Sequence, residues 1–159
     1  MAVPESSSVP LTLLLQSCSR RVMEGVLARL APQFAEINAA HLTLFGALDC
    51  GATYASDVAA RLGISRQAVA RTARELAALG FLRLDEDPMQ RNRQHLTLTE
   101  AGVQLALAGR AALAEVETEL AARIGGPALA ALRAGLLADW QPGLPSAEIT
   151  TPFRQVAKV

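Results

Sequence analysis

A mainly α-helical (α+β) fold with one small β-hairpin is predicted by three features of this sequence. Helical periodicity runs almost without a break, and strand-like alternation is confined to a single short segment. The 159 residues amount to about one average domain, and a 51% apolar content is enough to fill a real core. With 19% charged residues the chain falls outside the disordered and acidic-tail classes.

The elements follow in order. A first helix is expected over about Leu11–Leu30, with Val22, Val26 and Leu30 at i, i+4 and i+8. Its beginning, Leu11, Leu13, Leu14 and Leu15, is apolar around too much of its circumference for a one-sided helix. Asn38 is a good N-cap for a second helix through Leu48, and Gly51 a natural stop. Ser56–Leu62 forms a short third helix closed by Gly63. A fourth begins after Ser65 as N-cap and ends at Gly80. Phe81–Leu84 and Gln94–Leu98 then read as two strands around the polar tip Asp85–Arg93. Thr99 caps a long helix to about Arg123. Gly125-Gly126-Pro127 breaks it, and a last helix is expected over about Ala128–Trp140. Pro142, Pro145 and Pro152 make the tail, Gln141–Val159, extended.

Charge and cysteine usage narrow the class. Fifteen basic and fifteen acidic residues cancel, which excludes a uniformly basic coat but leaves room for a local basic face. The longest uncharged runs, Ser6–Ser19 and Ile37–Leu48, are shorter than the ~18–20 residues of a spanning helix. Met1–Glu5 lacks a positive region ahead of Leu11–Leu15, so neither a signal peptide nor a membrane partner is expected, and the cytoplasm is the expected compartment. Cys18 and Cys50 have no CxxC spacing and no adjacent His, so neither a disulfide framework nor a metal site is expected. Both thiols are expected buried and inert. His41 and His95 are expected to be structural, His95 on a strand of the hairpin and His41 on the second helix beside any effector cavity.

The segment Ser56–Gly80 carries the chemistry. Two helices joined by Leu62-Gly63-Ile64-Ser65 make a helix-turn-helix. Small Ala59 permits a close crossing, Gly63 supplies the left-handed turn, and Val69 fills the angle. Along the second helix Val69, Ala73 and Leu76 gather on one side, and Gln67, Ala70, Arg71 and Arg74 on the other. The outer face suits a DNA major groove, where Arg pairs with guanine and Gln with adenine. Ser65–Leu79 holds three Arg against one Glu, net +2 in a chain of net zero. An arginine stripe alone is most often a solvated face. The turn spacing and the hairpin directly after it favour an interface. In the hairpin tip, Arg91 and Arg93 are placed to reach phosphate or a narrow minor groove, while Asp85, Glu86 and Asp87 oppose that use unless they pair with the arginines.

The run from Ser56 to Val69, the segment Leu76–Phe81, and Leu96-Thr97-Leu98-Thr99-Glu100-Ala101-Gly102 with its "LTEAG" close resemble the winged helix-turn-helix of MarR-type bacterial transcriptional regulators. The resemblance is specific over about Ser56–Gly102 and extends by helix order to Leu11–Trp140. It implies a homodimer with interlocking N- and C-terminal helices, two winged domains on a pseudopalindromic double-stranded operator, and a small-molecule effector that loosens the complex. The apolar residues Leu11–Leu15, Leu129, Leu132, Leu136, Leu137 and Trp140 would be buried in such a dimer.

Two departures stand out. The family's wing tip reads Asp-x-Arg, and the matching positions here are Gln90 and Asn92. Thr72 occupies an inward position where an aliphatic residue is usual, with its hydroxyl expected on the carbonyl one turn back. Cys18 lies about a turn later than the reactive cysteine of peroxide-sensing relatives and lacks its flanking aromatics.

The expectation is therefore one domain over residues 1–159. Residues 11–50 and 100–140 form its dimerising parts, 51–99 the winged helix-turn-helix, and 141–159 a tail. Its function is sequence-specific DNA binding as a repressor through Ser65, Arg66, Gln67, Ala70, Arg71, Arg74, Arg91 and Arg93, with no cofactor. The alternative is a winged-helix protein–protein adaptor. An enzyme is not expected, because no phosphate loop, nucleophile–base arrangement or paired carboxylates can be found.

Overall fold

A computed structural model of the chain describes residues 9–49, 54–86 and 93–138. Six helices and one hairpin follow in the order α1 (Leu11–Leu30), α2 (Ala39–Asp49), α3 (Ala55–Leu62), α4 (Arg66–Ala78), β1 (Leu82–Glu86), β2 (Gln94–Leu98), α5 (Glu100–Ile124) and α6 (Gly126–Leu137). The mainly helical architecture with a two-stranded sheet is the expected one.

Local signals fix most boundaries. The Ser65 hydroxyl caps α4 by accepting from the Ala68 N–H at 3.1 Å, and Thr99 caps α5 by accepting from the Gly102 N–H at 3.1 Å. Asn38 Oδ1 accepts from the His41 N–H at 3.0 Å, while His41 Nδ1 accepts from the Asn38 N–H at 3.3 Å. This is a capping box in which His replaces the usual Glu. Gly63 ends α3 at φ +63°, and the Ile64 N–H reaches back to the Ala59 carbonyl at 3.2 Å.

The core lies where α1, α2 and α5 meet the helix-turn-helix. Val58, Val69, Leu76, Leu96 and Leu105 are fully buried in it, with Val26, Leu30, Leu44 and Phe45 beside them. The stripe expected on α1 is present, with Val26 and Leu30 buried. The α1–α5 crossing is closed by Arg29, which pairs with Glu119 and with Glu115 at 3.0 Å. Its guanidinium is held above the ordinary range by Glu119 first, with Glu115 adding to it and burial opposing both.

Three expectations are corrected. The first strand starts at Leu82, not Phe81, and runs on through Asp85 and Glu86. Phe81 instead closes α4, its N–H bonding the Leu76 carbonyl at 2.9 Å and its carbonyl accepting from the Thr99 N–H at 3.2 Å. Acidic Asp85 is tolerated in the strand because Arg83 and Thr97 on the same face bind its carboxylate. The last helix begins at Gly126 and ends at Leu137, with Pro127 in the first turn, where a missing N–H costs nothing. Cys18 is exposed, not buried. It continues the Val22–Val26 line into the part of α1 that projects beyond the core, where none of the described residues buries it. Cys50, Gly51, the tip residues Asp87 to Asn92, Trp140 and the tail lie outside the described residues.

Candidate nucleic-acid interface

The helix-turn-helix is α3–turn–α4. Ala59, at the crossing, and Val69, Ala73 and Leu76, on the inner side of α4, are all buried, as is Thr72. Burial of one complete face fixes the rotation of α4 about its axis and so fixes what its other face presents. Ser65, Arg66, Gln67, Arg71 and Arg74 are exposed there, with Ala70 half-buried between them. Six of the eight expected contact residues are thus exposed or half-buried on α4 and its cap, four of them, Gln67, Ala70, Arg71 and Arg74, on the face opposite the core.

Electrostatics on this surface are loosely held. Arg71 is 74% exposed and lies 3.7 Å from Glu75 one turn on. Exposed pairs of this kind contribute about 0.3–0.5 kcal/mol, little enough for a phosphate or a base edge to displace the carboxylate. Arg74 donates its Nε–H to the Ala70 carbonyl at 3.0 Å and is drawn back along the helix.

Glu75, the single acid on α4, has a second partner. His41 on α2 is 3% exposed, and its Nε2 lies 3.3 Å from Glu75 Oε2. Because His41 Nδ1 accepts the Asn38 N–H, the ring's remaining proton sits on Nε2, which donates to Glu75. His41 is therefore structural, as expected, and it holds the one carboxylate of α4 toward α2. A pairing across 34 residues leaves no local sequence signal.

The hairpin is antiparallel, with Leu82 opposite Leu98, Leu84 opposite Leu96 and Asp85 opposite His95. The leucines face the core. Arg83, Asp85, His95 and Thr97 share the other face, with His95 on a wing strand as expected. Arg83 binds Asp85 at 2.9 Å and Thr97 donates to the same carboxylate at 3.1 Å, so Arg83 first, then Thr97 and the nearby His95, hold the Asp85 carboxyl below its usual range against the opposing effect of burial.

Of the two expected wing arginines, Arg91 lies outside the described residues. Arg93 stands directly before β2, at the tip end of the paired strands, and turns toward α3. It binds Asp57 at 2.9 Å and Ser56 at 3.3 Å, and its guanidinium lies 4.2 Å from the centre of the Tyr54 ring. Tyr54 and Asp57 were not singled out by the sequence reading.

A cleft of about 890 Å³ opens between α1, α2, α5 and α6, lined by Cys18, Val22, Phe45, Leu105, Leu113 and Leu136 among others, with Arg110, Ser19 and Thr43 as polar groups. Leu42 and Thr43, the residues after His41, line it too. Around it the apolar surface is large. Leu11 and Leu13 on α1 are more than half exposed, and no residue of α6 is buried. Among the described residues no group of three His, Cys, Asp or Glu is placed to hold a metal ion, and no single helix is long and apolar enough to cross a membrane.

No protein-family model matches the sequence, and no curated protein does. Solved structures do. A transcriptional regulator of the MarR family from Rhodococcus sp. RHA1 superposes with TM-score 0.69 at 19% identity, covering 85% of this chain and 94% of that one. Staphylococcus aureus MepR, solved as a DNA complex, gives 0.65 at 20% identity over 81% of this chain and 95% of its own. PcaV from Streptomyces coelicolor, in complex with its natural ligand, gives 0.65 at 19% over 86% and 94%. The chain has the winged-helix fold of MarR-family regulators, α1 and α5 included.

Proposed function

We propose that this chain is a sequence-specific DNA-binding transcriptional regulator. It acts as a homodimeric repressor on a pseudopalindromic operator and is released by a small-molecule effector. The observation that carries the reading is the outer face of α4, where Arg66, Gln67, Arg71 and Arg74 stand exposed on a helix whose opposite face is locked in the core. In the major groove Arg71 and Arg74 would pair with guanine, Gln67 with adenine, and Ala70 would meet a thymine methyl. Ser65 and Arg66 at the start of the helix take the flanking phosphate. Arg91, which lies outside the described residues, would be the minor-groove contact.

Support for the remaining parts comes from the uncovered apolar surface and from the structural neighbours. Residues 11–50 and 100–140 would dimerise through the exposed leucines of α1 and α6, and residues 51–99 would bind DNA, all within one domain of 1–159 and with 141–159 as a tail. The cleft is mostly apolar and suits an effector with an apolar body. Among the structural neighbours, MepR was solved with DNA and PcaV with its natural ligand, which supports both parts of this reading. The proposal involves no catalytic step and no cofactor.

The test is a DNA-binding titration at several salt concentrations, using a duplex enriched from a random pool. Log affinity should fall linearly with log salt, with a slope on the order of −0.9 per neutralised phosphate. Failure of the intact chain to select any sequence at low salt would favour the protein–protein adaptor.

A further inference from the structure

We infer that Arg93 is a positioning residue that clamps the wing to the start of α3, and not a DNA contact of its own. The inference rests on the DNA-binding reading only for its consequence, since the clamp is a feature of the chain by itself.

Three groups at the start of α3 converge on this guanidinium. Asp57, in the first turn of α3, takes an N–H at 2.9 Å, and the same Asp57 oxygen accepts the Ser56 hydroxyl at 3.1 Å. The Ser56 oxygen in turn takes a second contact from Arg93 at 3.3 Å. Tyr54, directly before α3, places its ring 4.2 Å from the guanidinium carbon. That ring also meets His95 of β2 nearly perpendicularly, at 5.2 Å between centroids, and the Tyr54 backbone forms a bridge to His95. Side chains two apart on a strand share a face, so Arg93 and His95 together grip Tyr54.

The arrangement makes β2 and the start of α3 one unit. A planar guanidinium bound at an edge by a carboxylate and stacked on an aromatic ring has little freedom left, and a Lys in its place cannot make both contacts. A cation engaged by Asp57 is also a poor phosphate ligand, because the paired carboxylate repels the same phosphate. What Arg93 supplies is the direction of the two strands relative to α3 and α4, so that the hairpin and the face of α4 reach one duplex together.

A double-mutant cycle on Arg93→Ala and Asp57→Ala tests this with two readouts. The first is hydrogen exchange of the β1 and β2 amides without DNA. Both single variants should speed exchange across the hairpin while leaving α5 protected, and the double variant should resemble either one. Unchanged protection of the strands in both single variants would overturn the clamp whether or not the chain binds DNA. The second readout is affinity for the enriched duplex. Each single change should weaken it by about five- to tenfold, the scale of one exposed ion pair with a cation–π contact, and the double change no further. Arg93→Lys should recover only part of the loss. If Asp57→Ala instead tightens binding while Arg93→Ala weakens it, Arg93 is a DNA contact and the inference fails. If the wild-type chain binds no DNA, the proposed function fails and the exchange experiment alone decides the clamp.

Discussion

Gly102, in the first turn of α5, sits so close to Phe81 that a methyl group built on it would lie 2.0 Å from the Phe81 carbonyl oxygen. That carbonyl already accepts the Thr99 N–H at 3.2 Å, and the Thr99 hydroxyl donates to the Gly80 carbonyl at 2.6 Å. The end of α4, the root of the wing and the start of α5 therefore meet at one backbone-to-backbone contact. The glycine closing Thr99-Glu100-Ala101-Gly102 is required by this approach, not by its own dihedral angles.

The consequence is a reversal of sign for Gly102→Ala. In a helix interior that change ordinarily stabilises by roughly 0.5–1 kcal/mol. Here the methyl must displace backbone, and overpacking of this kind costs about 1–3 kcal/mol. We expect a lower denaturation midpoint by chemical unfolding. Gly109→Ala, where a methyl meets nothing within 4 Å, is the control and should be neutral or stabilising.

Base readout predicts different signatures for the two exposed arginines of α4. Arg71→Ala should cost ~1–3 kcal/mol of binding to the enriched duplex and relax specificity at one base pair. Arg74→Ala should do the same if its bond to the Ala70 carbonyl is given up on binding, and should weaken all sequences alike if it touches only phosphate. Unchanged affinity in both single variants would remove α4 from the groove.

Much of this was legible in the sequence because it is local. The caps Ser65 and Thr99 and the turn at Gly63 depend on residues within a few positions of one another, and the helix-turn-helix and the hairpin each join segments that follow one another directly in sequence. Pairs that form only once helices pack were not legible. Nothing in the spacing joins His41 to Glu75 or Arg93 to Asp57, and the sequence offers Arg93 only the acids of its own hairpin, Asp85, Glu86 and Asp87, as partners. Exposure at Cys18 escaped for a related reason. Periodicity continues along α1 past the point where the core ends, so a stripe predicts which side is apolar but not what covers it.

The uncovered stripe makes its own prediction. Leu13 is 55% exposed and Leu136 48% exposed, and each fully buried Leu side chain is worth roughly 1.5–3 kcal/mol. The intact chain should sediment as a dimer at micromolar concentration, and Leu13→Glu combined with Leu136→Glu as a monomer with its helicity retained. An intact chain that sediments as a monomer would refute dimerisation through these helices.

Acid should loosen the wing before it unfolds the rest. The Asp85 carboxyl is held below its ordinary value of 3.8, chiefly by Arg83. A carboxyl depressed in the folded state stabilises it fully above the unfolded value, and that contribution disappears as pH falls through the folded value. Protection of the β1 and β2 amides should therefore drop on acidification below the usual Asp range. In Asp85→Asn it should already be reduced at neutral pH and should lose this acid-dependent component. A pH-independent wing in the wild type would show that the Arg83–Asp85 pair contributes nothing.

The last prediction separates stability from DNA binding at His41. Its ring closes the capping box with Asn38 and holds Glu75 toward α2, both from a buried position. His41→Ala removes the box and a buried hydrogen bond, which should cost about 1–3 kcal/mol of folding stability. It should also free the Glu75 carboxylate, which then competes more strongly for Arg71 on the DNA-facing side and weakens binding beyond what the stability loss explains. Adding Glu75→Gln to His41→Ala should restore DNA affinity without restoring stability, because the competing charge is gone while the cap is still missing. Recovery of both together, or of neither, would mean that Glu75 is not what connects His41 to the outer face of α4.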